Sequence, residues 1–502
     1  MTTTKPNMLE FTKDISLAVA NFYEYSMAQA NLLEGIVGKE TVFDVVVRNL
    51  PTNKIVGKFE FDGVKYEKLA KRNFLINCGI EQCLAYFLES KGNTQLRNYL
   101  ENTQEIKDTK FLNWAENIRF QGDVYAMPEG TVFFAKEHQM RVHERFEEAQ
   151  VFESLLLSTI NPQTNVCTTA NDIAQIVGWE KIIIQENLDS DIGAKTTKIL
   201  LEGGSQRSTS PQSSLFNSRA ARIGGFTLSS NIAHGINYNE KVGGTHGHSY
   251  VMLHPTEYTA FKAQGKLFGK KVCFLLDTYN VHQALETALQ VVEEEQLEHF
   301  AFRLDSGDLL AQSKWLHQEM KQRGYVRTCY DLVASDDLTA EKIATLEQGN
   351  ADINKYLVGT YVVNPPKPVT AVFKLAAYLE TNGTWNLRGK LSEDFTKATL
   401  PGIKQVYRVA GTDGYYKRDI IAFADEDITP YLQQGDKVRG LLVPMILQGE
   451  LVYDCPSLDK ISTYRTNELS KFKDIANYEV VISKKIVETQ QEIMQQHGFK
   501  IE

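Results

Sequence analysis

The pattern of apolar and polar positions is most regular between about Lys198 and Val363. Short apolar runs there end in Asp, Ser or Gly and give way to segments with apolar residues three and four apart, a β-then-α rhythm. KILLEGGS, EKVGGTHGHS, KKVCFLLDTYN, HFAFRLDSGD, CYDLVASDD and KYLVGTYVV read as strands. Their near-continuous Val, Ile, Leu and Phe content suits parallel strands covered on both faces. Between them, His282 to Gln296, Leu309 to Arg323 and Thr339 to Gln348 each carry an apolar stripe opposite charged residues and are predicted helices.

The run ends at Asp277, Asp305, Ser335 and Gly359 recur roughly every 25–30 residues, about the length of one strand-helix unit. This spacing predicts an α/β barrel, in which polar residues at the C-terminal strand ends converge on one mouth. The competing fold, an open doubly wound sheet, would concentrate them at a switch point. TVFDVVVRNLP and GDVYAMPEGTVFF near the front, with RGLLVPMILQGELVYD near the end, predict strands of a flanking α/β domain made from both ends of the chain. The expected division is 1–150 and 395–502 for the flanking domain and 151–394 for the barrel. SQRSTSPQSSLFNS, from Ser205 to Ser218, reads as a loop too polar to pack.

With 502 residues, 42% of them hydrophobic and 23% charged, the chain can bury one large core or two of unequal size. MTTTKPNMLEFTKD lacks the basic stretch and apolar run of a secretory signal, and no eighteen apolar residues follow one another. A cytoplasmic protein with no membrane span is expected. Cys78, Cys83, Cys167, Cys273, Cys329 and Cys455 form no CxxC pair and have no zinc-like spacing, so they read as reduced thiols. A net charge of −9 argues against general binding to nucleic acid or a membrane surface. Small anions remain compatible, because a local set of cations and backbone N–H groups can hold phosphate in an acidic protein.

RLDSGD (Arg303 to Asp308) sets a cation, two carboxylates, a hydroxyl and Gly307 at a strand end. Such carboxylates suit ribose hydroxyls or a Mg²⁺ on a diphosphate, and the arginine suits a carboxylate or phosphate. Alternatively, Asp305 or Ser306 simply caps the following helix. GGTHGHS (Gly243 to Ser249) puts two histidines in a glycine-rich turn, where one could accept a phosphoryl group or serve only as structure. Ser335–Asp336–Asp337 and Val358–Gly359–Thr360 combine small and hydroxyl residues as phosphate-cradling turns do.

Taken in order, NFYEYSMAQA, PEGTVFF, EGGSQR, ARIGGFTLSSN, GGTHGHSYV, LLDTYN, RLDSGD, ASDDL, VGT, VFKL, GKLSEDFTKATLPGIKQVYR and PSLDKI resemble the nicotinate phosphoribosyltransferase family along almost the whole chain. The resemblance implies an irregular α/β barrel of the type II phosphoribosyltransferase kind, with a flanking α/β domain built from both termini and an active site completed across a homodimer. It implies the formation of nicotinate mononucleotide and diphosphate from nicotinate and phosphoribosyl diphosphate on Mg²⁺. ATP hydrolysis would drive the reaction through a phosphorylated histidine matching His248. Arg303, Asp305, Ser306, Gly307 and Asp308 then fall on base and ribose contacts, with Asp277, Ser205 and Arg207 also in the substrate site. Ser335, Asp336, Gly359 and Thr360 match phosphate-holding turns. Arg48, Lys390 and Lys404 match basic residues that meet the diphosphate or ATP, and Tyr23 matches an aromatic that stacks on the pyridine from the partner subunit.

The sequence departs from the family pattern mainly near the base. EGGSQR stands where family members commonly read EFGTRR, so Gly203 replaces a stacking Phe and Gln206 an Arg, while Arg207 is retained. Asn21, Thr227 and Gly247 replace an Asp, an Asp and an Ala. One lost aromatic face removes about 0.5–1.5 kcal/mol of stacking. Three readings follow: Arg207 and Arg303 compensate, the base is another such as nicotinamide, or the chain binds nucleotide without turnover.

Overall fold

The computed structural model describes residues 16–51, 54–61, 64–71, 73–178, 198–391 and 398–499. The MTTTKPNMLEFTKD segment and residues 392–397 of KLSEDFTKATLPGIKQVYR lie outside the described residues. The chain forms two compact units, one of Met1–Lys54, Lys71–Asn165 and Lys367–Glu502, the other of Ile55–Ala70 and Val166–Pro366.

In the second unit a six-stranded sheet has the order Cys273–Leu275, Phe300–Leu304, Tyr330–Ala334, Lys355–Val358, Ile199–Glu202, Leu228–Ser229. Every neighbouring pair is parallel, so all C-terminal ends lie along one edge. Among the described residues no ladder joins the first strand to the last, so the expected barrel is seen as a parallel sheet without a closing row of hydrogen bonds. EKVGGTHGHS, expected as a strand, makes only a single bridge from Val242 to Ser229. Gly243, Gly244 and Gly247 offer no side chains to a pleated surface, which explains why pairing stops there. KYLVGTYVV is a strand only as far as Val358, after which Thr360–Val363 is a short helix.

The three expected helices are present as Val281–Glu294, Leu309–Gln322 and Ala340–Gln348. Asn280, Asp308 and Thr339 cap them by accepting N–H groups of the first turn. The supposed loop at Ser205–Ser218 is a correction: Pro211–Ile223 is a helix. Ser210 and Ser213 form a reciprocal capping box and Pro211 opens the first turn, a strong local start signal. Its polar residues are buried because they have partners; Ser218 Oγ donates to Glu202 Oε2 at 2.8 Å.

The first unit is built on a seven-stranded antiparallel sheet, Trp385–Leu387, Ala371–Leu379, Glu40–Val47, His138–Arg145, Asp123–Ala126, Val443–Leu447, Glu450–Leu451. The strand Ala371–Leu379 pairs with Glu40–Val47 from Val47↔Ala371 to Thr41↔Tyr378. That pairing draws residues after Pro366 into this unit, whose limits therefore fall inside the 151–394 expected for the barrel. Lys404–Ala410 and Tyr416–Phe423 head a second, four-stranded sheet with Lys437–Gly440 and Glu479–Ile482. The core is aromatic, with Phe43 stacked on Phe373 at 4.6 Å and Phe87 against Phe152 at 4.9 Å. All six cysteines are free. Among the described residues no helix is long and apolar enough to cross a membrane.

Candidate active site

The polar ends of the parallel strands meet through hydrogen bonds. Arg303, near the end of Phe300–Leu304, donates from Nε to Ser335 Oγ at 2.9 Å and from Nη2 to Asp305 Oδ2 at 2.8 Å. Its Nη1 reaches Thr245 Oγ1 at 2.8 Å and the His246 carbonyl at 3.2 Å. One planar guanidinium thus ties two adjacent strand ends to the GGTHGHS turn, a use that the fixed fork of arginine suits and lysine does not.

His248 begins the helix His248–Leu253 and donates from Nε2 to Asp277 Oδ1 at 3.2 Å; its Nδ1 lies 4.0 Å from Asp305 Oδ2. Ser306 Oγ donates to the other oxygen of Asp277 at 2.6 Å. The Asp277 side chain is 8% exposed and that of His248 is 40% exposed, so a held carboxylate orients an imidazole that remains reachable. His246 is buried against Tyr250 and Phe261. Burial, helped by the Arg303 charge, pushes its imidazole down to about 4, so His246 stays neutral where His248 is open to chemistry.

Asp305 and Ser306 are engaged with Arg303 and Asp277, while the helix cap is Asp308, whose Oδ1 accepts from Ala311 N at 3.0 Å. Gly307 turns the chain between them at φ +80°, a left-handed conformation that favours glycine. Asp336 and Asp337 also have positive φ, 88° and 42°, so the turn after Ser335 is held in a sparsely populated conformation. Gly359 comes close to the neighbouring strand end: a Cβ there would stand 3.4 Å from the Gly203 carbonyl oxygen. Ser205 and Arg207 form a 3₁₀ turn beyond Glu202, with the Arg207 carbonyl accepting from Asn364 Nδ2 at 2.7 Å. Thr360 starts the short helix after Gly359.

Two contributors lay outside the sequence reading. Buried Glu202 accepts from Ser218 and Ser229 hydroxyls and from Gly204 N–H, which anchors the EGGSQR turn. Thr245 is a second hydroxyl partner of Arg303, beside Ser335. A carboxylate that closes an apolar strand and a hydroxyl beside two histidines were the available signals.

The remaining expected residues belong to the first unit. Arg48 and Lys404 line a cavity of about 210 Å³ together with Lys136, His138, Lys374 and Asp44. Lys404 is buried and spends its donors on Asp44 Oδ2 at 2.7 Å and the carbonyls of Leu400 and Gly402 at 3.0 and 2.6 Å, so it acts there as a fixed charge. Burial lowers its ammonium pKa, opposed by Asp44. Lys390 is exposed and is not among the residues lining that cavity. Tyr23 is 46% exposed and donates to Glu153 Oε2 at 3.1 Å. Desolvation, then the Glu153 charge, pushes its phenol up to about 12. Asn21 donates to Ser154 Oγ at 2.7 Å. Among the described residues no cluster of three His, Cys, Asp or Glu is arranged to hold a metal.

Comparison with known proteins shows what the chain as a whole is similar to. Residues 19–161 match the nicotinate phosphoribosyltransferase N-terminal domain. The nicotinate phosphoribosyltransferase of Bacillus subtilis (strain 168) is 30% identical over 429 residues, covering 84% of this chain and 79% of that one. The crystal structure of human nicotinic acid phosphoribosyltransferase has the same fold, with a TM-score of 0.72 at 21% identity, covering 94% of this chain and 99% of that one. A nicotinate-nucleotide pyrophosphorylase from Pyrococcus furiosus shares the fold at a TM-score of 0.67 and 20% identity, over 92% of this chain and 97% of that one. With the strand-end cluster and this full-length similarity together, the chain belongs to the nicotinate phosphoribosyltransferase family.

Proposed function

We propose that the protein is a nicotinate phosphoribosyltransferase that makes nicotinate mononucleotide and diphosphate for NAD salvage, coupled to ATP hydrolysis through His248. The observation that carries this reading is the junction of Arg303, Asp305, Ser335 and Thr245 with the His248–Asp277–Ser306 chain at one edge of the parallel sheet.

In the reaction the pyridine nitrogen forms a bond to ribose C1 while the C1–O bond to diphosphate breaks and its electron pair leaves with the diphosphate. The carbon passes through an oxocarbenium-like state, so the demand is for positioning and charge neutralisation rather than acid-base work. Arg303 supplies a fixed cation, and the turns at Ser335–Asp336 and Gly359–Thr360 supply hydroxyl and backbone donors for phosphate. Asp277 and Asp305 offer hard oxygen donors suited to a Mg²⁺ that arrives on the diphosphate. In the coupling step an imidazole nitrogen of His248 takes the γ-phosphoryl group of ATP, ADP leaves, and water later releases phosphate. Asp277 holds the ring and stabilises its positive charge. Arg48, at its cavity in the first unit, suits polyphosphate as a second cationic contact, with buried Lys404 adding a fixed charge behind it. A cytoplasmic homodimer, in which Tyr23 of one subunit serves the site of the other, completes the reading.

Gly203 and Gln206 favour one second reading, turnover of a neutral base such as nicotinamide, which asks for no cation.

The coupling is tested by incubating the protein with ATP labelled on its γ-phosphate. Acid-labile phosphate should appear on the unchanged protein and be lost in His248→Ala. Label retained by His248→Ala, or absent from both proteins, contradicts the assigned role.

A further inference from the structure

Gly203 does not have a left-handed φ, so its backbone would accept any side chain. What crowds one is Leu357, through the end of its side chain: a Cβ at 203 would lie 2.7 Å from Leu357 Cδ1, 3.3 Å from Cγ and 3.8 Å from Cδ2. Any side chain at 203 would have to displace this one leucine, which takes the space.

The strand register says which way this leucine faces. Arg303 pairs with Val333 and Val333 with Lys355, so these three share a face of the sheet. Two residues further along each strand, on the same face, stand Asp305, Ser335 and Leu357. Leu357 is therefore at the level of the polar cluster and on its side. Leu357 is in register with Leu201, and Leu201 with Leu228, giving an aliphatic row beside that cluster. All three leucines are half-buried, whereas Tyr356, Val358 and Leu200 on the opposite face are fully buried.

We infer that Leu357 and Gly203 are a matched pair that shapes the wall of the base-binding pocket, with Leu357 the specificity-determining contact for the pyridine ring. This rests on the phosphoribosyltransferase reading above. An isobutyl group holds a flat ring by dispersion and exclusion of water, without the quadrupole preference of an aromatic wall. The pocket should thus discriminate among bases by shape more than by ring electronics.

Leu357→Ala removes all three atoms that crowd position 203. It should raise KM for nicotinate about tenfold and leave kcat within about twofold. Gly203→Phe should lower both activity and Tm, and adding Leu357→Ala should recover most of the Tm. Unchanged KM in Leu357→Ala, or Tm losses that simply add in the double variant, would overturn the inference. If the unchanged protein makes nucleotide from no pyridine base, the enzymatic reading fails, and the Tm cycle still decides the pairing: recovery supports it and additivity refutes it.

Discussion

Arg303 uses Nε, Nη1 and Nη2 at once, so its worth lies in geometry as much as charge. Arg303→Lys keeps the charge but cannot reach Ser335, Thr245 and Asp305 together. The expected result is a loss of about 100-fold or more in kcat/KM, exceeded by Arg303→Ala, with far-ultraviolet circular dichroism unchanged. A lysine variant of near-parental activity would reduce Arg303 to a generic cation. His248→Ala should behave differently, losing ATP-driven product while slow uncoupled turnover stays measurable by mass. These roles were partly legible in RLDSGD and GGTHGHS, whose charged and hydroxyl residues have little structural reason to crowd a strand end. The division of labour within RLDSGD was not legible. A sequence cannot say which of three neighbouring side chains caps a helix, and here the cap is Asp308, which frees Asp305 and Ser306 for Arg303 and Asp277.

At the scale of elements, the helix Phe22–Glu34 carries a buried carboxyl. Glu24 Oε1 accepts from Ser154 Oγ at 2.7 Å, and Oε2 is buried with no partner. Desolvation raises the carboxyl from 4.5 to about 7. The folded state therefore holds this proton more tightly than the unfolded chain. Its contribution to stability is fully present below pH 4.5 and is lost as pH rises through about 7. Glu24→Gln should flatten the fall in Tm across that window and stabilise the protein by about 1–3 kcal/mol at pH 8. A uniform Tm shift at every pH would contradict this assignment. The parallel strands and the three helices after them were legible because apolar period and cap residues agree. The helix Pro211–Ile223 was not, since its serines looked too polar to bury until Glu202 and Asn231 supplied their partners. GGTHGHS shows the opposite error, an apolar approach read as a strand where glycines end the ladder.

At the scale of the molecule, sequence periodicity found the parallel sheet but could not locate the unit limits, because the pairing of Ala371–Leu379 with Glu40–Val47 is a contact across more than 300 residues of chain. Assembly gives a test of its own. If Tyr23 serves the site of the other subunit, Tyr23→Ala and Arg303→Ala, both impaired alone, should reach at least about a quarter of parental activity when refolded together in equal amounts, above the mean of the two separate variants, since half the dimers then hold one intact site. No regain would place Tyr23 outside any shared site. The most direct measurement for the whole account is product analysis by mass after incubation with phosphoribosyl diphosphate, ATP, Mg²⁺ and a panel of pyridine bases. The account predicts nicotinate mononucleotide, with diphosphate released and ATP consumed alongside it; a full panel yielding no nucleotide from any base would contradict it.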